Sequence, residues 1–363
     1  PETWRVIGSG VFGGGWLDTW FHYWRDHDPD ALSGKMGERA CNSCGSVDAY
    51  AFFPANFDPA RGTITLKPIE PPKPRADSAG RPTFGGAGTQ PGQFFSPVDI
   101  EADSAGNLYV IDYGTRRLQK FDPAGNFLAS TDVRGEQGGV RQASEPWGLA
   151  VAPDGTVAVA DTFGHRIRLF DGNLQPLLAF GQAADLSRPV GPLDFFGPRD
   201  AAFDPQGNLW VTDTGNHRLL VFNRQGESLR VIGKNGAGEG EFREPVGVAI
   251  GPGGAVYVAD MYNARVVVLD GEGRFRSSFK VDGWGGQDVQ DKPYLEVLPN
   301  GNIAVGLPGQ NQVRVYTPSG ALSATIAPED EPLSRPYGIL ATVDGKLWVV
   351  EGGSKRVRLF PIP

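Results

Sequence analysis

Cysteine and histidine are scarce in this chain, and long hydrophobic runs are absent. Two cysteines and four histidines among 363 residues exclude a framework of several disulfides. The one pair, Cys41 and Cys44, has C-x-x-C spacing. Its leading reading is a local disulfide that staples a loop, which implies an oxidising compartment. The alternatives are a redox pair and half of a zinc site, with His22 and His27 the only histidines nearby. No stretch reaches the ~18 apolar residues of a membrane-spanning helix; the nearest, Val6 to Trp24, is broken by Gly8, Gly10, Gly13, Gly14, Gly15 and Asp18. Positive charge is not in excess: 34 Lys and Arg face 42 Asp and Glu, a net charge of −8. That balance speaks against a general nucleic-acid binder, which needs a basic face. Nucleophile-elbow, phosphate-loop and H-E-x-x-H motifs are missing as well. Neither an initiating Met nor a signal peptide precedes Trp4, which reads as a mature or excised piece of a longer protein.

What is abundant is turn chemistry. The 51 Gly and 30 Pro favour many tight turns over long helices. Charged residues at 21% and hydrophobic ones at 40% give a globular composition. Pro97, Pro146, Pro198, Pro245, Pro293 and Pro336 each open a similar unit, 43 to 52 residues apart. A period in this range marks an array or a propeller. Each unit holds three runs rich in Val, Ile, Leu and aromatics, bounded by Gly, Asp and Pro, which read as strands. A fourth run follows in most units, such as Ser228 to Gly233. Four short antiparallel strands make one propeller blade, so the expected fold is an all-β, six-bladed propeller. The sixth unit ends at Leu359-Phe360 without a fourth run, while Thr83-Phe84-Gly85 precedes the first unit. The segment before Pro97 should therefore supply the outer strand of the last blade and remove an open edge.

The unit pattern P-x-G-(V/L)-A-V, then G-N-L-(Y/W)-V-x-D, then G-N-H-R-(L/I) resembles the NHL repeat family. Its best copy has Gly207-Asn208-Leu209-Trp210-Val211 and Asn216-His217-Arg218-Leu219. The resemblance runs from Phe84 onward, strong in units one to four and degraded in five and six. Unit five has Gly306 and Val313 where the others carry an acid and an Arg. Those recurring residues are Asp112, Asp161, Asp213, Asp260 and Glu351, and Arg117, Arg166, Arg218, Arg265 and Arg356. Copied into five blades, they read as scaffold, as do His165 and His217.

Three regions follow: an aromatic-rich extension over 1–65, a Pro-rich spacer with the start of the closing strand over 66–83, and the propeller over 84–363. In the irregular extension, Trp16, Trp20, Tyr23 and Trp24 fall on one face of a helix. Such a stripe docks on the propeller rim or contacts a membrane interface, where Trp and Tyr concentrate.

The resemblance places ligands at the mouth of the central channel, on the face of the blade-linking loops. Residues after the opening prolines should look into it: Val98, Trp147, Arg199, Val246, Tyr294 and Tyr337. The loop after the second strand adds Tyr113, Phe163, Met261 and Tyr262. Aromatic faces beside Asp99, Asp200, Glu296 and Arg199 suit a sugar. The candidate ligand-binding set is Trp147, Arg199, Tyr294, Tyr337, Tyr113, Phe163, Asp99, Asp200 and Glu296, with no catalytic or metal residue assigned. The expected function is an extracytoplasmic module that binds a glycan or a partner protein, not nucleic acid. The family also implies external portions of bacterial membrane proteins, including sensor and glycan-processing ones. The alternative is a hydrolase or lyase with calcium in the channel, drawing on Asp99, Asp200 and Glu296; no other cofactor is expected. The histidine-rich metal site of the NHL-like peptide-amidating lyase has no counterpart, because no His occupies a channel position.

Overall fold

The protein, in a computed structural model, is described over residues 70–135, 143–185, 187–284 and 292–363, with the backbone of short strands at Trp4–Arg5, Thr63–Ile64, Glu136–Gln137 and Val140–Arg141. Two compact units result, Pro1–Ile69 and Glu70–Pro363. In the first, Trp4–Arg5 pairs antiparallel with Thr63–Ile64. Cys41, Cys44 and the stripe from Trp16 to Trp24 lie outside the described residues.

The second unit is a ring of six antiparallel sheets. Blade 1 runs Pro97–Ala102, Leu108–Asp112, Arg117–Phe121 and Phe127–Asp132. Blades 2, 3 and 4 open at Pro146, Pro198 and Pro245 and close at Phe180, Ile232 and Lys280. Blade 5 spans Leu295 to Ile326, and blade 6 opens at Pro336. Second strands such as Val157–Asp161 and Leu209–Asp213 are buried along their whole length, because a neighbouring blade covers each face. Between blades 2 and 3, for instance, Ala158, Ala160 and Ile167 pack with Leu209, Val211 and Phe222. Five of the first strands bulge just after the opening proline. Blade 5 lacks that bulge, because its sequence is one residue shorter there.

The ring closes as the repeat pattern predicts. Pro82–Gly85 pairs antiparallel with Arg356–Pro361, matching Gly85 to Arg356, Phe84 to Val357 and Thr83 to Arg358. The Pro-rich stretch goes further, adding a fifth strand, Arg75–Ala76, at the outer edge. Its hairpin uses the tetrapeptide Asp77-Ser78-Ala79-Gly80, identical to the Asp103-Ser104-Ala105-Gly106 turn of blade 1. Asp77 Oδ1 accepts the N–H groups of Ala79 and Arg81, as Asp103 Oδ1 accepts those of Ala105 and Asn107. Asp77 also pairs with Arg81 at 2.6 Å and with the fully buried Arg358 at 3.2 Å. Burial alone would raise the Asp77 carboxyl, but hydrogen bonds from Arg81 and Arg358 hold it down at about 2.

The recurring acids and arginines knit each blade to its incoming linker. Asp161, Asp213, Asp260 and Glu351 pair with Arg166, Arg218, Arg265 and Arg356 at 3.0, 2.9, 2.8 and 2.5 Å. In blade 1, Arg117 turns instead to the carbonyl of Thr89. Each acid also accepts a backbone N–H just before its own opening proline: Ser96 to Asp112, Glu145 to Asp161, Phe196 to Asp213, Arg243 to Asp260 and Ser334 to Glu351. His165 and His217 accept the N–H groups of Gly197 and Glu244 at Nδ1, bridging to the next blade. Both histidines are scaffold.

Closure predicts a specific energetic cost. Phe84 is 1% exposed, with ring centroids 4.6 Å from Phe121 and 5.4 Å from Trp348. Phe84→Ala should destabilise the propeller by about 3–5 kcal/mol in chemical denaturation, whereas Leu322→Ala, on an exposed outer strand, should change stability by less than about 0.5 kcal/mol. Equal effects at the two positions would argue against closure by the N-terminal strand.

Candidate functional site

The antiparallel order puts the loops after each second strand on the same face as the linkers that enter at the opening prolines. The hairpins after each first strand form the opposite face. On the linker side, the residues following the prolines converge on the axis. Trp147 stacks on Tyr113 with centroids 4.5 Å apart and meets Tyr337 edge-on at 6.5 Å. The Arg199 guanidinium lies 3.7 Å from the Trp147 ring centre. Tyr294 donates its hydroxyl to the Trp147 carbonyl at 3.2 Å. Trp147 belongs to blade 2 and Tyr294 to blade 5, which face each other across the ring, so the axis is filled. Trp147, Arg199, Tyr294 and Tyr337 are each buried, at 2, 2, 2 and 5% exposure. Five of the expected residues thus come together as a plug, four of them buried and Tyr113 half-buried at its edge. Burial depresses the Arg199 guanidinium, against the pull of Tyr294, Tyr337 and Asp200.

Past the plug lies a cavity of about 170 Å³ lined by Asp99, Glu101, Asp200 and Glu296. Three of these carboxylates were expected at the site; Glu101 was not. It follows Asp99 by two on one strand and so shares its face. Its partner Tyr109 precedes Val110, just as the Glu296 partner Ala304 precedes Val305, so the two glutamates are equivalent in register. The carboxylates are also inter-blade ties. Leu149 N–H donates to Asp99 Oδ2 at 2.8 Å, Val248 N–H to Asp200 Oδ2 at 2.8 Å, and Ala341 N–H to Glu296 Oε1 at 3.4 Å. Asp99 and Asp200 accept a second N–H each, from Ile100 and Ala201. Glycines of even blades make the room: a Cβ on Gly148 or Gly338 would stand 2.5 or 2.6 Å from the Cα of Asp200 or Asp99.

Glu101 and Glu296 are half-buried as residues, and protein surrounds and desolvates all four carboxyls. Burial pushes Asp200 up to about 7 and Glu296 up to about 8. Burial and then the charges of Asp200 and Glu101 drive Asp99 well above the usual carboxylate range, and burial and then Glu296 and Asp200 do the same to Glu101. The four protons belong to the set. Each oxygen of Asp99 and of Asp200 accepts one backbone N–H group. Among the described residues no three His, Cys, Asp or Glu side chains converge as a metal-binding group. The cavity is also below the roughly 300 Å³ of a usual small-molecule site. A larger apolar groove of about 420 Å³ sits between blades 2 and 3, lined by Leu169, Leu177, Leu178, Phe203 and Leu209, away from every one of these groups.

Exposed rings lie instead around the plug. Phe95, Phe163, Phe196 and Tyr262 are 57, 50, 47 and 47% exposed. Blades 1 to 4 supply one each, from alternating loops. Phe95 and Phe196 come from linkers, Phe163 and Tyr262 from the loops after the second strands. Where the linker carries the ring, the facing loop has glycine: a Cβ on Gly114 would stand 2.5 Å from Phe95, and one on Gly215 would stand 2.6 Å from Phe196. Phe163 was expected here, and Tyr262 was noted in the same loop slot. Phe95 and Phe196 were missed, although the glycines opposite them were a readable signal.

The buried carboxyls make stability pH-dependent. With folded-state values of about 7 and 8 for Asp200 and Glu296, the folded chain holds protons that the unfolded chain releases above roughly pH 4. The contribution of these two groups to stability is therefore greatest below that pH and falls as pH rises toward 8. Glu296→Gln should raise the melting temperature by about 2–4 °C at pH 8 and leave it nearly unchanged at pH 4. An equal shift at both would show that Glu296 does not titrate in this window.

The NHL repeat family matches residues 144–170, 195–222 and 242–269, within blades 2, 3 and 4 and their linkers. No curated protein matches the chain. Among solved structures, a gluconolactonase from Xanthomonas campestris is similar with a TM-score of 0.56 at 15% identity, covering 83% of this chain and 99% of that one. A streptogramin B lyase gives 0.53 at 16% identity, covering 79% and 86%. A chain of a nidogen/laminin complex gives 0.51 at 18% identity, covering 67% and 84%. At such identities the likeness is one of fold. With its matched repeats and its closed ring of six sheets, this chain is an NHL-repeat six-bladed β-propeller.

Proposed function

We propose that the propeller is a binding module whose linker-side face takes a glycan or a glycan-bearing partner outside the cytoplasm. One observation carries this reading: blades 1 to 4 each expose one aromatic ring, Phe95, Phe163, Phe196 and Tyr262, on that face. Four large rings left in water around a closed axis, one on each of four successive blades, offer this face separate apolar contact points. Flat rings stack on the C–H face of a pyranose. Asp112 fixes the linker behind Phe95 through its N–H at 2.7 Å, and Asp213 fixes that behind Phe196 at 2.8 Å. The rings therefore sit on rigid backbone, which lowers the cost of binding.

A second reading, an enzyme working in the channel, draws on Asp200 and Glu296. Raised to about 7 and 8, they retain protons near neutrality and have the pKa of general acids. Two of the similar folds are those of a lyase and a gluconolactonase. Against this reading stand the small cavity and the use of the carboxylates as inter-blade ties.

A glycan array followed by calorimetric titration tests the first reading. Phe163→Ala and Tyr262→Ala should each weaken binding by roughly tenfold, about 1.4 kcal/mol, while Asp200→Asn leaves it unchanged. Binding lost with Asp200→Asn and kept with Phe163→Ala would shift the site to the channel.

A further inference from the structure

Six outer edges surround the propeller, and one differs from the rest. The last strand of blade 2, Pro176–Phe180, reads Pro-Leu-Leu-Ala-Phe, and its first four residues are exposed. Leu177 and Leu178 are 58 and 36% exposed. Among the described residues no strand pairs with its outer side. Half of the N–H and C=O groups of such a strand face away from the sheet, open to another strand. The other outer edges carry features that deter pairing. Asp132 ends that of blade 1, Arg230 sits in that of blade 3, and Arg276 and Lys280 lie in that of blade 4. Blade 5 interleaves Ser323 and Thr325 with its apolar residues. Blade 6 is already covered by Arg75–Ala76, so an outer edge of this ring does accept a fifth strand. Of the six, the edge of blade 2 alone is both uncovered and without charged or hydroxyl side chains. It also borders the apolar groove of about 420 Å³ between blades 2 and 3, to which Leu177 and Leu178 contribute. The one charged residue lining that groove, Arg224, is tied to Asp154 at 2.5 Å. An added strand would direct alternate side chains to the groove side.

We infer that two copies of this chain associate by antiparallel pairing of Pro176–Phe180 with itself, which joins their second blades into one continuous sheet. Pairing about Leu178 sets Leu178 against Leu178, Leu177 against Ala179 and Pro176 against Phe180. Every position then meets an apolar one, and each strand meets its own two-fold image. Pro176 opens the strand, a place where an edge tolerates the missing N–H. Self-pairing through blade 3 or blade 4 would instead bring arginines and lysines of two copies together, which opposes association. Each copy owns one such edge, so the contact consumes it and assembly stops at two. Phe180 leads on to the linker into blade 3, while Pro176 leaves the hairpin after the third strand. An antiparallel pair therefore points the two linker sides in opposite directions.

Sedimentation velocity of the full chain, from about 1 to about 200 µM, tests this. A monomer–dimer equilibrium should appear, with nothing larger. Leu177→Lys should weaken it by about tenfold or more, whereas Leu229→Lys, on the exposed edge of blade 3, should leave it unchanged. Both variants alter exposed side chains, so both should melt like the parent at the low end of that range. Amide hydrogen exchange over residues 176–180 should slow as concentration rises through the transition, and stay fast in Leu177→Lys. A chain that is monomeric throughout would overturn the inference and leave the edge to an apolar strand of another protein. A dimer that survives Leu177→Lys, or that forms without slower exchange at 176–180, would place the contact elsewhere and overturn it as well. Larger assemblies abolished by Leu177→Lys would replace the closed pair with an open array.

Discussion

A buried carboxylate at the end of the second strand, present in five of the six blades, sets the geometry of the working face. Asp112, Asp161, Asp213, Asp260 and Glu351 are fully buried at the end of their second strands. Each receives N–H groups from the linker entering its own blade, and four of them also hold the guanidinium that opens the third strand. A charge removed from water survives only with several donors around it, so linker, loop and strand must adopt one arrangement. Phe95 and Phe196 follow directly from those bonds. Phe163 follows through the N–H of Gly164, which donates to Asp161 at 3.1 Å, and Tyr262 through Asn263, whose side chain donates to Asp260 at 2.8 Å.

The axis and the face divide the aromatic residues between them. Trp147, Tyr113, Tyr294 and Tyr337 bury one another around Arg199 and seal one end of the channel. Asp99, Asp200 and Glu296, beyond the seal, stitch odd blades to even ones, and burial raises the pKa of each. What is left for a partner is the collar outside the plug, where the rings of Phe95, Phe163, Phe196 and Tyr262 are exposed.

Much of this was legible in the chain. The six opening prolines, the glycine turns and the acid–arginine motif of five units are local chemistry repeated with small changes, so blade number, strand order and the closing strand could be read directly. The convergence of Trp147, Tyr294 and Tyr337 was readable as position along a strand. Their burial was not, because it depends on how narrow the ring is, and residues of blades 2 and 5 touch only once the circle is drawn. Glu101 was open to discovery through its spacing from Asp99. Phe95 and Phe196 were hidden by their neighbours, the buried Phe94 and Phe195; which member of such a pair faces water depends on the loop opposite, where Gly114 and Gly215 leave room. The fifth strand was masked by proline, though the turn that makes it is spelled as in blade 1.

Thr83 bonds to Val357 across a separation of 274 residues. During synthesis the strand that completes the wheel leaves the ribosome first and waits for its mate. At 5–20 residues per second the wait is roughly 15–55 s. Only at the end of that interval do five sheets and an unsatisfied edge coexist in the nascent polypeptide, the state in which strands from other chains compete most effectively for the vacant place. Asp77 and Arg81, charged residues flanking the waiting strand, make that edge a poor template for strangers until the proper partner arrives.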